Sequence, residues 1–166
     1  MAHLAGLKGG GLSSADRRRL WSSMNVDYDE TSSTALTLGL RPLPVGPLTR
    51  AARGWADAGI ALPVPLAALR HERWAVPVGT RIWICENPSV LHAAATRFGP
   101  TCPSMICVEG NPSLAALTLI TGLGDGGALL TYHGDFGSGG VAIGNRIIGA
   151  LGAANQQNTV GIRCEK

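Results

Sequence analysis

Residues 81–99, "RIWICENPSVLHAAATRFG", decide the fold. An apolar run, "RIWIC", is followed by Glu86, then by Asn87-Pro88-Ser89, and then by an Ala-rich run closed by Gly99. β-branched and aromatic residues in a short unbroken run read as a strand buried on both faces. Asn87 suits a helix N-cap, and Pro88 fits the first helical turn, where its missing N–H costs nothing. The stretch therefore reads as strand, turn and helix, with a carboxylate at the turn.

The same grammar recurs downstream. Apolar strands begin near Arg81, Ser104 ("SMICVEG") and Ala128 ("ALLTYHGD"), at nearly even spacing, and helical runs follow each: "PSVLHAAATRF", "PSLAALTLITGL" and "GGVAIGNRIIGALG". "GNPSLAALT" echoes "ENPSVLHAA", so Asn111 and Pro112 are expected to start the second helix as Asn87 and Pro88 start the first. Strands alternating with helices predict βαβ units around a mainly parallel sheet of three to four strands. Right-handed crossovers then bring the C-terminal strand ends to one rim.

Upstream the pattern is less regular. "SSADRRRLWSSM" (13–24) and "PLTRAARGWADAG" (47–59) read as helices, "TSSTALTLGLRP" (31–42) as a β-rich stretch halted by Pro42, and "ALPVPLAALRHERWAVPVG" (61–79) as a compact connector. The expected division is a smaller α-rich, partly irregular N-terminal segment, 1–75, and an α/β domain, 76–166.

The chain has 166 residues, 45% of them hydrophobic and 15% charged, which is enough for one domain with a core. A net charge of +3 gives no electrostatic warrant for nucleic-acid binding by itself. The triplet Arg17, Arg18 and Arg19 reads as the solvated side of a helix. Cys85, Cys102, Cys107 and Cys164 lack metal-binding spacing and are expected as buried, reduced thiols. With neither a signal sequence nor a stretch of about 20 apolar residues, a cytoplasmic location and no membrane partner are expected.

Glu86 and Asp135 are the carboxylates that draw notice, because in an open parallel sheet ligands bind outside the carboxyl ends of the strands. Two acids brought together there repel unless a cation lies between them, and Mg²⁺ is commonly held by one or two protein carboxylates. Each acid also suits a plainer duty, favouring a helix N-terminus with its charge, and spacing alone does not choose. Glu109, at the next strand end, and His133 are accessory candidates, and Arg97 and Arg146 are candidate DNA contacts. The glycines of "GSGG" leave open a nucleotide site at a helix N-terminus.

"RIWICENPSVLHAAATRFG", "CPSMICVEGNPSLAALTLI" and "LLTYHGDFGSGGVAIGNRII" resemble the C-terminal Toprim-like domain of a bacterial family of unknown function. That family is related to the nuclease subunit of the Wadjet plasmid-defence systems and more distantly to the A subunit of type IIB topoisomerases. The likeness spans roughly residues 30–152. It implies a Toprim-like fold with Glu86 and Asp135 as catalytic residues holding Mg²⁺ or Mn²⁺ for hydrolysis of DNA phosphodiester bonds. The implied partners are DNA and other subunits of a defence complex, with homo-oligomerisation left open. The family's second aspartate falls on Gly137, because the pattern HGDFD reads "HGDFG" here. Loss of that acid weakens any second ion, so a catalytically degenerate module for DNA binding or assembly is the competing expectation. Tyr28 and Tyr132 are the only tyrosines and neither resembles a topoisomerase nucleophile. The tail "ANQQNTVGIRCEK" has no counterpart in that pattern, and "TVGIRC" within it has the composition of one more short strand.

Overall fold

A computed structural model describes residues 30–134 and 137–154. The expected helix at 13–24, Arg17 to Arg19, Tyr28, Asp135, Cys164 and the expected strand in "TVGIRC" lie outside the described residues.

The three expected strand–helix units are present. Strand β3 (Arg81–Cys85) leads to a helix at Pro88–Phe98, β4 (Met105–Cys107) to one at Leu114–Asp125, and β5 (Leu129–His133) to one at Ser138–Ala154. Upstream lie β1 (Thr34–Leu38), helix α1 (Pro47–Ala58), β2 (Leu62–Pro65) and helix α2 (Leu66–His71). The three later helices are accordingly α3, α4 and α5, with a 3-10 turn at Gly99–Thr101 after α3.

All five strands form one sheet in the order β2-β1-β4-β3-β5. The expectation of a mainly parallel sheet of three to four strands is corrected here, because the sheet is mixed. Strand β3 is parallel to both β4 and β5, while β1 is antiparallel to β4 and to β2. The upstream chain supplies the difference, since β1 and β2 add to the β4 side. The stretch expected as a connector in fact contains β2 and α2. Pro63 and Pro65 explain why it looked like a linker: proline is tolerated on an edge strand, and these two lie one strand period apart on the sheet's edge.

Strand alternation sorts the core into two sides. Ile82, Ile84, Ile106, Leu130 and Tyr132 pack with Leu119, Ile120 and Leu123 of α4 and Ile147 and Leu151 of α5. On the opposite face Cys85, Met105 and Cys107 meet Leu91 and Ala94 of α3. Helices α4 and α5 thus share one face and α3 covers the other, as right-handed crossovers running in opposite directions across the sheet, β3 to β4 and β4 to β5, require.

Helix starts follow local chemistry. Asn87 caps α3 as expected, its side chain accepting from the Ser89 N–H at 2.9 Å. In α4 the cap moves two residues on, to Ser113, whose hydroxyl accepts from the Ala116 N–H at 3.0 Å and donates to the Thr34 carbonyl at 2.7 Å. The second bond ties α4 to β1 and explains why Ser113, rather than Asn111, was recruited. Helix α1 is capped from a distance: the Glu72 carboxylate accepts the Leu48 and Thr49 N–H groups, each at 2.9 Å. Desolvation opposes the charge of Glu72, but those backbone donors outweigh it and hold the carboxyl below its ordinary value of 4.5. Gly59 closes α1 in the left-handed conformation, with φ +70°.

Candidate functional site

The rim is set by β3. Its neighbours β4 and β5 are reached by crossovers running in opposite directions, so the chain diverges at the carboxyl end of β3. This is the switch point at which an open α/β sheet forms its ligand crevice. Glu86 is the residue that follows β3, and it is partly buried.

Backbone bonds fix this end of the strand. The Val108 N–H donates to the Cys85 carbonyl at 2.9 Å, and the Gly110 N–H donates to the Glu86 carbonyl at 3.1 Å. Between those donors stands Glu109, the only non-glycine residue with positive φ among the described residues, at +52°. Such backbone costs on the order of 1 kcal/mol or more and persists where the surroundings over-determine it. Here the paired strand ends do so, and Glu109 is held exposed one residue beyond Val108.

On the other side of β3, His133 lies in register with Cys85 and is exposed. Glu86, Glu109 and His133 are therefore brought to one rim by three adjacent strand ends. Asp135 follows His133 by two positions in the sequence but is outside the described residues. Among the described residues, no group of three or more His, Cys, Asp or Glu side chains is arranged as a metal centre. The chemistry of the donors present, carboxylate oxygens at an exposed rim, suits a hard divalent cation rather than a thiophilic one.

Arg97 and Arg146 are not brought together. Arg97 lies in the last turn of α3, its guanidinium 5.5 Å from the Phe98 ring centroid, on the sheet face opposite α5. Arg146, on α5, donates to the Asn111 side chain. That bond gives Asn111 its use in place of a helix cap, and it ties α5 to the loop following β4.

Cys85 and Cys107 are in register on neighbouring strands, and both are buried and free. The hydrogen bond to Cys107, and then burial, push the Cys85 thiol far above the usual thiol range. Burial also raises the Cys102 thiol. These three described thiols are core residues, as expected; Cys164 is outside the described residues.

Two features were missed from sequence. The first is the role of Tyr132. Its ring is buried against Gly134 and Gly144, and its hydroxyl donates to the Gly140 carbonyl at 3.0 Å. A Cβ on Gly134 would lie 2.1 Å from that hydroxyl, and one on Gly144 3.2 Å from the ring. The glycine after His133 is thus required by the tyrosine below it. The tyrosine-to-glycine spacing carried that signal, but only the packing makes it legible.

The second is an apolar groove of about 450 Å³ on the α3 side of β3 and β5, lined by Trp83, Val90, Ala94, Phe98, Thr131 and His133. The pattern of α3 gives a partial signal, because Val90 and Phe98 are large apolar residues left exposed. Among the described residues, no helix is long and apolar enough to cross a membrane.

No curated protein matches the chain, and no solved structure does. Residues 62–156, more than half of the chain, match the family described as "Protein of unknown function C-terminus (DUF2399)", running from β2 through the rim to the end of α5. The chain belongs to that family.

Proposed function

We propose that the protein is a Mg²⁺-dependent, Toprim-like nuclease domain that hydrolyses DNA phosphodiester bonds, with Glu86 and Asp135 as its metal-holding and catalytic acids. One observation carries the reading: Glu86 follows the central parallel strand at the switch point, level with the strand end that leads to His133 and Asp135. Glu86 and Asp135 would hold the ion, and Glu109, exposed beyond the neighbouring strand end, would assist. When bound, such an ion supplies charge neutralisation to the scissile phosphate and acidity to a water molecule. The chain's own part is positioning. Backbone bonds to the ends of β3 and β4 fix Glu86, Tyr132 packs beneath Gly134, and exposed His133, at the end of β5, is available to bind phosphate or position a water. Plasmid defence is the setting that the resemblance suggests.

Gly137 favours a second reading, a catalytically degenerate module that binds DNA or assembles with partner subunits. It occupies the position of the missing acid, and an added Cβ there meets nothing within 4 Å. Gly137→Asp therefore places its Cβ without a clash among the described residues, and it separates the two readings. The test is nicking of supercoiled plasmid with Mg²⁺ or Mn²⁺ by the natural chain, Glu86→Ala, Asp135→Ala and Gly137→Asp. Cleavage lost in both alanine variants and raised in Gly137→Asp supports the nuclease. Equal activity in all four, or none in any, removes it.

A further inference from the structure

The apolar groove beside α3 takes no part in holding an ion, yet it reaches the rim. Its floor is made by β3 and β5 and its wall by α3. Leu130 and Tyr132 belong to the core on the α4 side, so strand alternation turns Thr131 and His133 of β5 to the groove. Thr131 stands in register with Trp83, and His133 with Cys85, the residue before Glu86. The groove therefore runs along the strands and meets the rim at His133. Every residue that lines it lies within the described part of the chain.

Its chemistry is that of a ligand site. A volume of about 450 Å³ falls within the roughly 300–1,000 Å³ usual for small-molecule sites. Two large rings line it: Trp83, partly buried, and Phe98, 45% exposed at the end of α3. Each ring has a cation beside it. The Arg97 guanidinium is 5.5 Å from the Phe98 ring centroid, and that of Arg81 is 5.7 Å from the Trp83 centroid. No carboxylate lines the groove. Rings, neighbouring cations and the absence of acids together suit an aromatic group carried by a polyanion.

Thr131 supplies an independent observation. It is only 8% exposed, and among the described residues its hydroxyl has no hydrogen-bond partner. Among those residues no side-chain polar atom is sealed off unpaired, so the hydroxyl is open to the groove that Thr131 lines. An aliphatic side chain or the apolar face of a helix docked there would close over it and leave it unmatched, at a cost. A planar heterocycle avoids that cost, because its faces lie against the rings while its polar edge meets the hydroxyl. Nucleobases have this form, and base–aromatic stacking beside positive charge is how unpaired strands are held without regard to sequence.

We propose that the groove receives an unpaired nucleobase of the DNA strand that crosses the rim, packed against Trp83 and Phe98 with its polar edge at Thr131, while Arg97 meets the strand's phosphates. The substrate of the rim is then single-stranded or locally opened DNA rather than intact duplex. This inference rests on the DNA reading of the rim and adds the form of DNA that the rim accepts.

The test is binding in EDTA, followed by fluorescence anisotropy, of a labelled oligothymidylate and of an abasic single strand of the same length. The proteins are the natural chain, Thr131→Val and Ala93→Trp, with folding checked by circular dichroism. Ala93 is an exposed lining residue, so the new ring fills the groove from α3 without entering the core. Both strands carry the same phosphates, so electrostatic attraction cancels between them. In the natural chain the oligothymidylate should bind about tenfold or more tighter than the abasic strand, a preference reduced severalfold in Thr131→Val and abolished in Ala93→Trp. Equal affinity for the two strands, binding of neither, or a preference retained in full by either folded variant overturns the proposal. A dimer that Ala93→Trp dissociates, in a chain with no base preference, also overturns it, since the occupant is then a second copy. With metal absent, the result is separate from plasmid nicking: base preference without nicking removes the nuclease reading alone, and nicking without base preference removes this inference alone.

Discussion

Replacing Gly134 with alanine tests how the rim is supported. The new Cβ would stand 2.1 Å from the Tyr132 hydroxyl and 2.5 Å from its Cζ, more than an ångström short of ordinary contact. Tyr132 cannot withdraw easily, because it is 2% exposed and its hydroxyl is tied to the Gly140 carbonyl. Overpacking against such a neighbour costs about 1–3 kcal/mol. Tyr132→Phe alone loses one hydrogen bond, about 1 kcal/mol. In the double variant the nearest clashing atom is gone while Cζ remains, so the combined loss should fall short of the two single losses added together. Urea denaturation of the natural chain, both single variants and the double variant gives the four free energies. Gly134→Ala within about 0.5 kcal/mol of the natural chain, or strictly additive losses, would refute the tyrosine-supported turn.

Glu72→Gln should weaken α1, because it removes a carboxylate cap that two backbone N–H groups donate to. The carboxyl is lowered from 4.5 in the folded chain, so its contribution is present above that value and fades as pH falls through the folded one. Stability against pH for the two proteins should therefore differ most near neutrality and converge in acid, and parallel curves would contradict it. Gly39→Ala should destabilise by about 1 kcal/mol or more, since Gly39 has φ +62° and an added Cβ would lie 2.5 Å from the Cys102 carbonyl oxygen. An unchanged thermal midpoint would contradict that. Gly137→Asp, by contrast, should shift the same midpoint little, and a loss of several degrees would show that the open space there is needed.

The strand–helix units of the second half were legible because apolar runs, Asn-Pro-Ser starts and glycine stops agree at each one. The mixed character of the sheet was not. "LPVP" carries two prolines and becomes a strand only because β1 offers it an edge, which is a tertiary fact. The shift of the α4 cap from Asn111 to Ser113 has the same origin, since Thr34, the acceptor of Ser113, is far away in sequence. At the rim, Glu86, Glu109 and His133 were legible as strand-end residues, and the sheet order then placed them on three adjacent ends. The strained backbone of Glu109 had no sequence signature, and the spacing of Tyr132 and Gly134 became legible only through their packing. The groove is lined jointly by residues of α3, β3 and β5, a tertiary juxtaposition that periodicity does not encode.

The most direct test of the central claim, that Glu86 and Asp135 share one divalent ion, is calorimetric titration of Mn²⁺ into the natural chain, Glu86→Gln and Asp135→Asn, with folding checked by circular dichroism. One site in the natural chain, weakened at least about tenfold by either substitution, is expected, since each removes a charged ligand. Mn²⁺ binding of equal strength in all three folded proteins, or none in the natural chain, would contradict it.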